Sequence, residues 1–139
     1  MNYTDKKHLI NALFAAWNTH DLERIAAFYA PHCQGHDVAQ AAPIQGIADI
    51  YEWITKYLQA VPDMRVLCEQ IILEDERAVA IWQGRGTHQG SLLHMPPTYK
   101  EIRVRGAMVL TFEGDKISHM LHIWDVAGML RDIGFLPDL

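Results

Sequence analysis

The densest set of chemically active side chains in this sequence is HMLHIWD at residues 119–125. It contains two imidazoles, His119 and His122, an indole at Trp124 and a carboxylate at Asp125. An imidazole with an unperturbed pKa of about 6.5 takes up or releases a proton near neutral pH, so the stretch could form an acid/base site. The same residues could instead be the two faces of one strand followed by a helix cap, and the surrounding elements must decide.

A second group of such side chains is HCQGHD at residues 32–37. His32, Cys33 and His36 are residue types that bind zinc, but the adjoining proline and the glycine inside the stretch argue against one helical face, and no matching ligand pair follows. We therefore expect no metal. Asp37 either accepts a proton or bonds its own backbone in a turn.

Length and composition favour one soluble domain over residues 1–139. Hydrophobic residues make up 50% of the chain and charged residues 21%, and no run approaches the ~20 apolar residues of a membrane span. The formal charge of -5, without a dense Lys/Arg stripe, argues against nucleic acid or a membrane as partner. The few cysteines favour reduced thiols, and the N-terminal sequence lacks a signal-peptide pattern, so we expect a cytoplasmic location.

Apolar residues at three- and four-residue spacing predict three helices in the first half of the chain. The first begins near Thr4, the second follows an N-cap at Asp21, and the third starts near Ile47. Pro31 ends the second helix and Pro62 ends the third. Between Pro31 and the third helix we expect an irregular connection.

The second half of the chain changes to the two-residue period of β-strands. Runs of β-branched and aromatic residues occupy positions 64–74, 77–88, 101–112 and 116–124. The connections between them suit antiparallel hairpins, and a last short helix at 126–133 would be capped by Asp125. Helices segregated from an antiparallel sheet predict an α+β fold.

Four phrases carry a family resemblance: FAAWNTHDLERIAAFYAP, IQGIADI, GRGTHQGSLLHMPPTYKEIRVRG and EGDKISHMLHIWDVAGMLRDIGFLP. Together they resemble the SnoaL-like polyketide cyclase family, within the nuclear transport factor two-like superfamily. The resemblance implies a conical barrel, in which a curved antiparallel sheet of four to six strands wraps around three N-terminal helices, with a short C-terminal helix. It also implies an internal pocket and a homodimer formed through the sheet.

The face of the last strand that enters this pocket follows from the resemblance. Alternation puts Met120, His122 and Trp124 on one face and His119 and Asp125 on the other, without choosing between them. By likeness to the steroid isomerases of the superfamily, the face with His122 lines the pocket. Cyclases of the family have an acid/base carboxylate at or next to this position, where this sequence has histidine, so His122 is the leading catalytic candidate.

The resemblance also assigns roles to two neighbouring residues near position 37. Asp37 aligns with the general base of the steroid isomerases, and His36 matches a histidine common in the family. The isomerase oxyanion donors are missing, because their positions read Leu13 and Met108. We therefore do not expect steroid isomerisation by that route.

The remaining candidates are residues expected to bind the substrate. His88, in the phrase GTHQG, would either bind a substrate oxygen near the pocket mouth or satisfy loop carbonyls. Large apolar side chains would form both core and pocket wall. The expected binding set is His88, Trp124, Met120, Trp82, Met108, Trp53 and Trp17.

These observations predict an acid/base enzyme, an isomerase or lyase, that works without metal or organic cofactor on a small hydrophobic carbonyl compound. Cyclisation, isomerisation and dehydration all use the expected proton transfer, with His122, Asp37 and His36 as catalytic residues. The alternative is a non-catalytic protein that binds a small molecule on the same scaffold, and a third possibility is a dimer whose pocket is vestigial.

Overall fold

Four helices and six strands make up the fold in a computed structural model, which describes residues 2–138. The helices are α1 Tyr3–Thr19, α2 Leu22–Ala26, α3 Ile47–Ala60 and α4 Val126–Asp132. The strands are β1 Tyr29–Asp37, β2 Ile44–Gln45, β3 Arg65–Glu74, β4 Arg77–Thr87, β5 Glu101–Glu113 and β6 Lys116–Trp124. The combination of helices with one mainly antiparallel sheet confirms the α+β fold class.

Side-chain caps fix where three of the helices begin. Asn2 accepts the backbone N–H of Asp5 at 2.9 Å at the start of α1, and Asp21 accepts N–H groups at the start of α2. Asp125 accepts the N–H of Gly128 at 2.8 Å and caps α4. The capping interpretation of Asp125 is therefore confirmed.

The six strands form one sheet in the order β2-β1-β6-β5-β4-β3. The four strands from β3 to β6 form the antiparallel meander that the sequence predicts. One pair differs from the expected antiparallel sheet, because β1 runs parallel to β6. Its register places Asp37 directly opposite His122.

Two expectations about Pro31 are wrong, that it ends the second helix and that an irregular connection follows it. Helix α2 already ends at Ala26, and Pro31 lies inside β1. The register of β1 on β6 shifts between Tyr29 and Gln34, and this irregular part of the ladder accommodates a residue that cannot donate an N–H. Because the outer face of β1 carries polar residues, the two-residue alternation of this strand is not recognisable from hydrophobicity. The strand matters because it carries Asp37 into the buried interior.

The hydrophobic core fills the space between the helices and the inner face of the sheet. Fully buried side chains include Ile10 and Leu13 of α1, Ile50 and Ile54 of α3, and Leu110 of β5. Among residues 2–138, no helix is long and apolar enough to cross a membrane.

Candidate active site

An internal cavity of about 100 Å³ lies against the inner face of the sheet, and its lining is almost wholly apolar. The lining residues include Phe14, Trp17, Tyr57, Val66, Trp82, Val104, Met108, His122, Trp124 and Met129. They come from α1, α3, α4 and all four strands of the meander. The volume is below the roughly 300–1,000 Å³ typical of sites for drug-sized ligands, so the cavity suits a small molecule.

Four of the seven expected binding residues line this cavity: Trp17, Trp82, Met108 and Trp124. Trp53 and Met120 do not line it, although both are buried. Trp53 packs behind the wall, with its ring edge-on to that of His122 at 5.5 Å between centroids. The role of each wall residue in binding stays a prediction.

His122 combines deep burial with unused hydrogen-bonding capacity. Its side chain is 12% exposed and forms part of the cavity wall. Neither ring nitrogen has a hydrogen-bond partner within residues 2–138. Burial lowers the pKa of the imidazole from 6.5 to about 4, although the charge of Asp37 acts in the opposite direction. His122 is therefore neutral at pH 7 and able to accept a proton.

Asp37 is the carboxylate next to this imidazole, with Oδ2 at 3.9 Å from His122 Nδ1. It is 1% exposed and does not line the cavity. Oδ1 accepts the N–H of Ala39 at 2.9 Å, which is the backbone turn that the sequence suggested. Oδ2 accepts the indole N–H of Trp53 at 3.0 Å and the hydroxyl of Tyr57. These three donors hold the carboxylate in one place.

Tyr57 is the functional candidate that the sequence analysis did not assign. Its hydroxyl donates to Asp37 and accepts N–H groups from Trp124 at 3.2 Å and Gln40 at 3.3 Å. Burial, followed by the charge of Asp37, raises the pKa of Tyr57, so the hydroxyl keeps the proton that it donates. The sequence contains one indication that Tyr57 belongs to the site. It follows Trp53 by four residues on α3, so both rings lie on one helical face.

His36 does not belong to this cluster, contrary to the expectation that it shares catalysis with His122. Successive residues of a strand point to opposite faces, and Asp37 points inward. His36 is accordingly exposed, and its Nε2 lies 3.0 Å from the carbonyl oxygen of Gln40. The structure gives it no access to the cavity.

His88 likewise does not line the cavity, although its side chain is fully buried. Its Nδ1 lies 2.9 Å from the Thr98 hydroxyl and accepts the Thr98 N–H at 3.3 Å. The backbone of His88 also pairs with Tyr99 and Lys100. These side-chain contacts are with a hydroxyl and a backbone N–H rather than with the loop carbonyls that the sequence suggested, so the role of His88 stays a prediction.

The possible metal ligands of β1 are separated by the same alternation. Cys33 is buried, whereas His32 and His36 are exposed on the other face. Within the part of the chain that the structure describes, no three His, Cys, Asp or Glu side chains form a group that could hold a metal ion.

The fold and the site together define a small α+β protein with an apolar cavity and a histidine in the cavity wall, next to a buried carboxylate. A sequence model of the SnoaL-like polyketide cyclase family matches residues 7–133. The chain belongs to that family, as the resemblance predicted. Among curated proteins, none matches the sequence significantly.

Solved structures show the same fold at low sequence identity. AclR from Streptomyces galilaeus, provisionally assigned as a hydroxylase, is 24% identical with a TM-score of 0.86, covering 99% of this chain and 86% of its own. TsrD from Streptomyces laurentii is 20% identical with a TM-score of 0.87, covering 98% and 99%. IdmH from Streptomyces antibioticus, provisionally assigned as a polyketide cyclase, is 22% identical with a TM-score of 0.78, covering 92% and 97%.

Proposed function

We propose that this protein is an acid/base enzyme that moves a proton on a small hydrophobic carbonyl compound, with His122 as the base. The observation that carries the proposal is the neutral imidazole at the wall of an apolar cavity, 3.9 Å from a fixed carboxylate. A buried histidine with two unpartnered nitrogens has a cost in stability that packing alone does not explain. Proton transfer to and from a bound molecule explains why the protein keeps this imidazole buried and unpartnered.

In the proposed step, a ring nitrogen of His122 takes a proton from the carbon next to a carbonyl group, and the C–H electron pair moves into an enolate. Nδ1 is the nitrogen nearer to Asp37, so Nε2 on the other side of the ring is the one that accepts the proton. The imidazolium that forms is then stabilised by the Asp37 anion. Asp37 acts through His122 and is a positioning residue.

The step after enolate formation distinguishes three reactions. In isomerisation the proton returns to another carbon, and in dehydration the C–O bond at the β-carbon breaks and the hydroxyl leaves with the proton as water. In aldol-type cyclisation the enolate carbon bonds to a second carbonyl carbon of the substrate, and the oxygen of that carbonyl takes the proton. All three need the same first step, and this chain's own residues supply it. The apolar lining removes water from the reacting atoms, which strengthens electrostatic interactions within the cavity. The cavity volume favours a compact substrate.

The proposal is tested by exchange of the α-protons of cyclohexanone in D₂O, followed by ¹H NMR. We expect the wild-type protein to accelerate exchange above the buffer rate, and His122→Gln to lower the catalysed rate by about 10²- to 10⁴-fold. His119→Gln is the matched control, because His119 lies three residues away and is exposed on the outer face. Equal rates for wild-type protein and His122→Gln would reject His122 as the base.

The second candidate function is a binding protein without turnover, and the nearly complete absence of polar atoms from the cavity lining favours it. Such a protein needs the same apolar walls but no proton carrier. Saturable binding of cyclohexanone without exchange above the buffer rate would support this alternative.

A further inference from the structure

Trp82 lies flat against the inner face of the sheet because two neighbouring residues have no side chain. A Cβ atom at Gly106 would lie 2.5 Å from Cζ2 of the indole, and one at Gly84 would lie 3.1 Å from Cζ3. Gly106 is directly opposite Trp82 in the pairing of β4 with β5. The two glycines therefore make room for the indole and fix the plane of its ring.

The indole N–H of Trp82 is a buried donor that has no hydrogen-bond acceptor among residues 2–138. Trp82 is 8% exposed and lines the cavity. By contrast, the indole N–H groups of Trp53 and Trp124 both have oxygen acceptors. Leaving such a donor unpaired is unfavourable, and a native protein usually satisfies it. The unpaired donor in the wall therefore needs an explanation.

This donor lies beside the other unpartnered groups of the cavity wall, the two nitrogens of His122. The ring centroids of Trp82 and His122 are 5.3 Å apart, with an interplanar angle of 46°. An indole N–H can only donate a hydrogen bond, whereas the neutral imidazole offers one acceptor nitrogen. The wall therefore presents a hydrogen-bond donor and a proton acceptor next to each other in otherwise apolar surroundings.

We infer that the Trp82 indole N–H binds the carbonyl oxygen of a ligand whose adjacent carbon faces His122. The inference rests on the proposed function for the class of ligand, and it adds the group that recognises the oxygen. When the α-proton leaves, negative charge develops on that oxygen, and a hydrogen bond to a charged acceptor is stronger than one to a neutral carbonyl. Trp82 thus supplies the donor that is missing at Leu13 and Met108.

A ligand reaches these atoms by shifting part of the wall, because each of them has almost no exposed area. Met108 is directly opposite His122 in the pairing of β5 with β6, and it lines the same cavity. An unbranched methionine side chain adapts readily to a changed neighbour. The expected ligand is therefore compact and apolar, with one carbonyl oxygen.

The test compares two probes of nearly the same shape, cyclohexanone and methylenecyclohexane, by calorimetric titration of wild-type protein and Trp82→Phe. Phenylalanine keeps an aromatic ring and removes the N–H. We expect Trp82→Phe to bind the ketone about 2- to 10-fold more weakly, the effect of one net hydrogen bond, and to bind the alkene as the wild type does. Equal weakening of both probes, unchanged ketone affinity or no saturable ketone binding by the wild type would overturn the inference.

A second measurement needs no substitution that could disturb folding. In wild-type protein, the ¹H resonance of the Trp82 indole N–H should move downfield when cyclohexanone binds and stay nearly constant with methylenecyclohexane. An indole resonance that responds alike to both probes contradicts the inference. Both measurements are made at binding equilibrium, so they can fail while His122-dependent exchange persists, and exchange can fail while the carbonyl selectivity persists.

Discussion

His122 Nδ1 and Asp37 Oδ2 lie 3.9 Å apart across the parallel pairing of β1 with β6. The separation is too long for a hydrogen bond, and Oδ2 is instead bonded to Trp53 and Tyr57. In this arrangement the imidazole is neutral and the carboxylate is held in place by other donors. Protonation of His122 would create an ion pair that the resting site does not contain.

Replacing Asp37 with asparagine removes the charge that opposes the effect of burial on His122. We expect Asp37→Asn to lower the pKa of His122 further and to reduce the rate of catalysed α-proton exchange at least tenfold, since one pKa unit corresponds to about 1.4 kcal/mol. NMR titration of the imidazole measures the pKa. Asp125→Asn is the control, because asparagine caps a helix about as well as aspartate and Asp125 is exposed. A rise in the pKa of His122 in Asp37→Asn would contradict this account.

The lowered pKa of His122 also predicts how stability depends on pH. The unfolded chain takes up a proton at this residue below about pH 6.5, whereas folded His122 does so only near pH 4. Between these values the unfolded state binds more protons, so stability falls as the pH falls. We expect His122 to account for about 2 kcal/mol of lost stability between pH 8 and pH 5. When the free energy of unfolding is measured with urea, His122→Gln should lose less stability than the wild type over this pH range. Identical changes of the unfolding free energy with pH in both proteins would argue against this role of His122.

The Tyr57 hydroxyl joins the side chains of Asp37, Trp124 and Gln40, so removing it should lower the free energy of unfolding. In Tyr57→Phe the N–H groups of Trp124 and Gln40 lose their acceptor, and Asp37 loses one donor. We expect a loss of about 1–3 kcal/mol in the free energy of unfolding, measured with urea. Tyr99→Phe, at a tyrosine that is 70% exposed, should change stability by less than about 0.5 kcal/mol. Similar losses in the two variants would remove Tyr57 from the network.

The homodimer expected through the sheet stays a prediction. Exposed apolar side chains on β3 and β6 suit it, because Leu67 is 58%, Ile72 50% and Ile123 44% exposed. Sedimentation velocity should give the mass of two chains, and Leu67→Glu should shift the population towards monomer. Tyr3→Glu on α1 should not, although Tyr3 is as exposed as Leu67. A wild-type protein that sediments as a monomer at micromolar concentration would refute the prediction.

Local patterns predict the helices and the meander because the apolar spacing typical of each element is visible within about ten residues. The strand expected at 77–88 ends at Thr87, and the helix expected at 126–133 is Val126–Asp132, capped by Asp125 as expected. The first strand was missed because Pro31 and alternating polar residues give no hydrophobic period there. Strand pairing is a long-range property, and no spacing in the sequence indicates that β1 lies beside β6.

The same reasoning explains which parts of the site could be foreseen. The family resemblance pointed to Asp37 and His122 separately, but only the strand register brings the two together. Alternation alone already separates His36 from Asp37. Tyr57 was not singled out, because an aromatic residue on a helix is typical of a core. Its role depends on its contact with Asp37, and no local sequence pattern predicts that contact.

The central claim is that neutral His122 is the base, and the pH dependence of kcat/KM for α-proton exchange tests it most directly. The measurement covers the acid range in which circular dichroism shows the fold intact. The account predicts a rate that is nearly constant from pH 8 to about pH 5 and falls with an apparent pKa of about 4, as His122 becomes protonated. A rate that falls with an apparent pKa near 6.5, or that stays constant through the acid range, would contradict it.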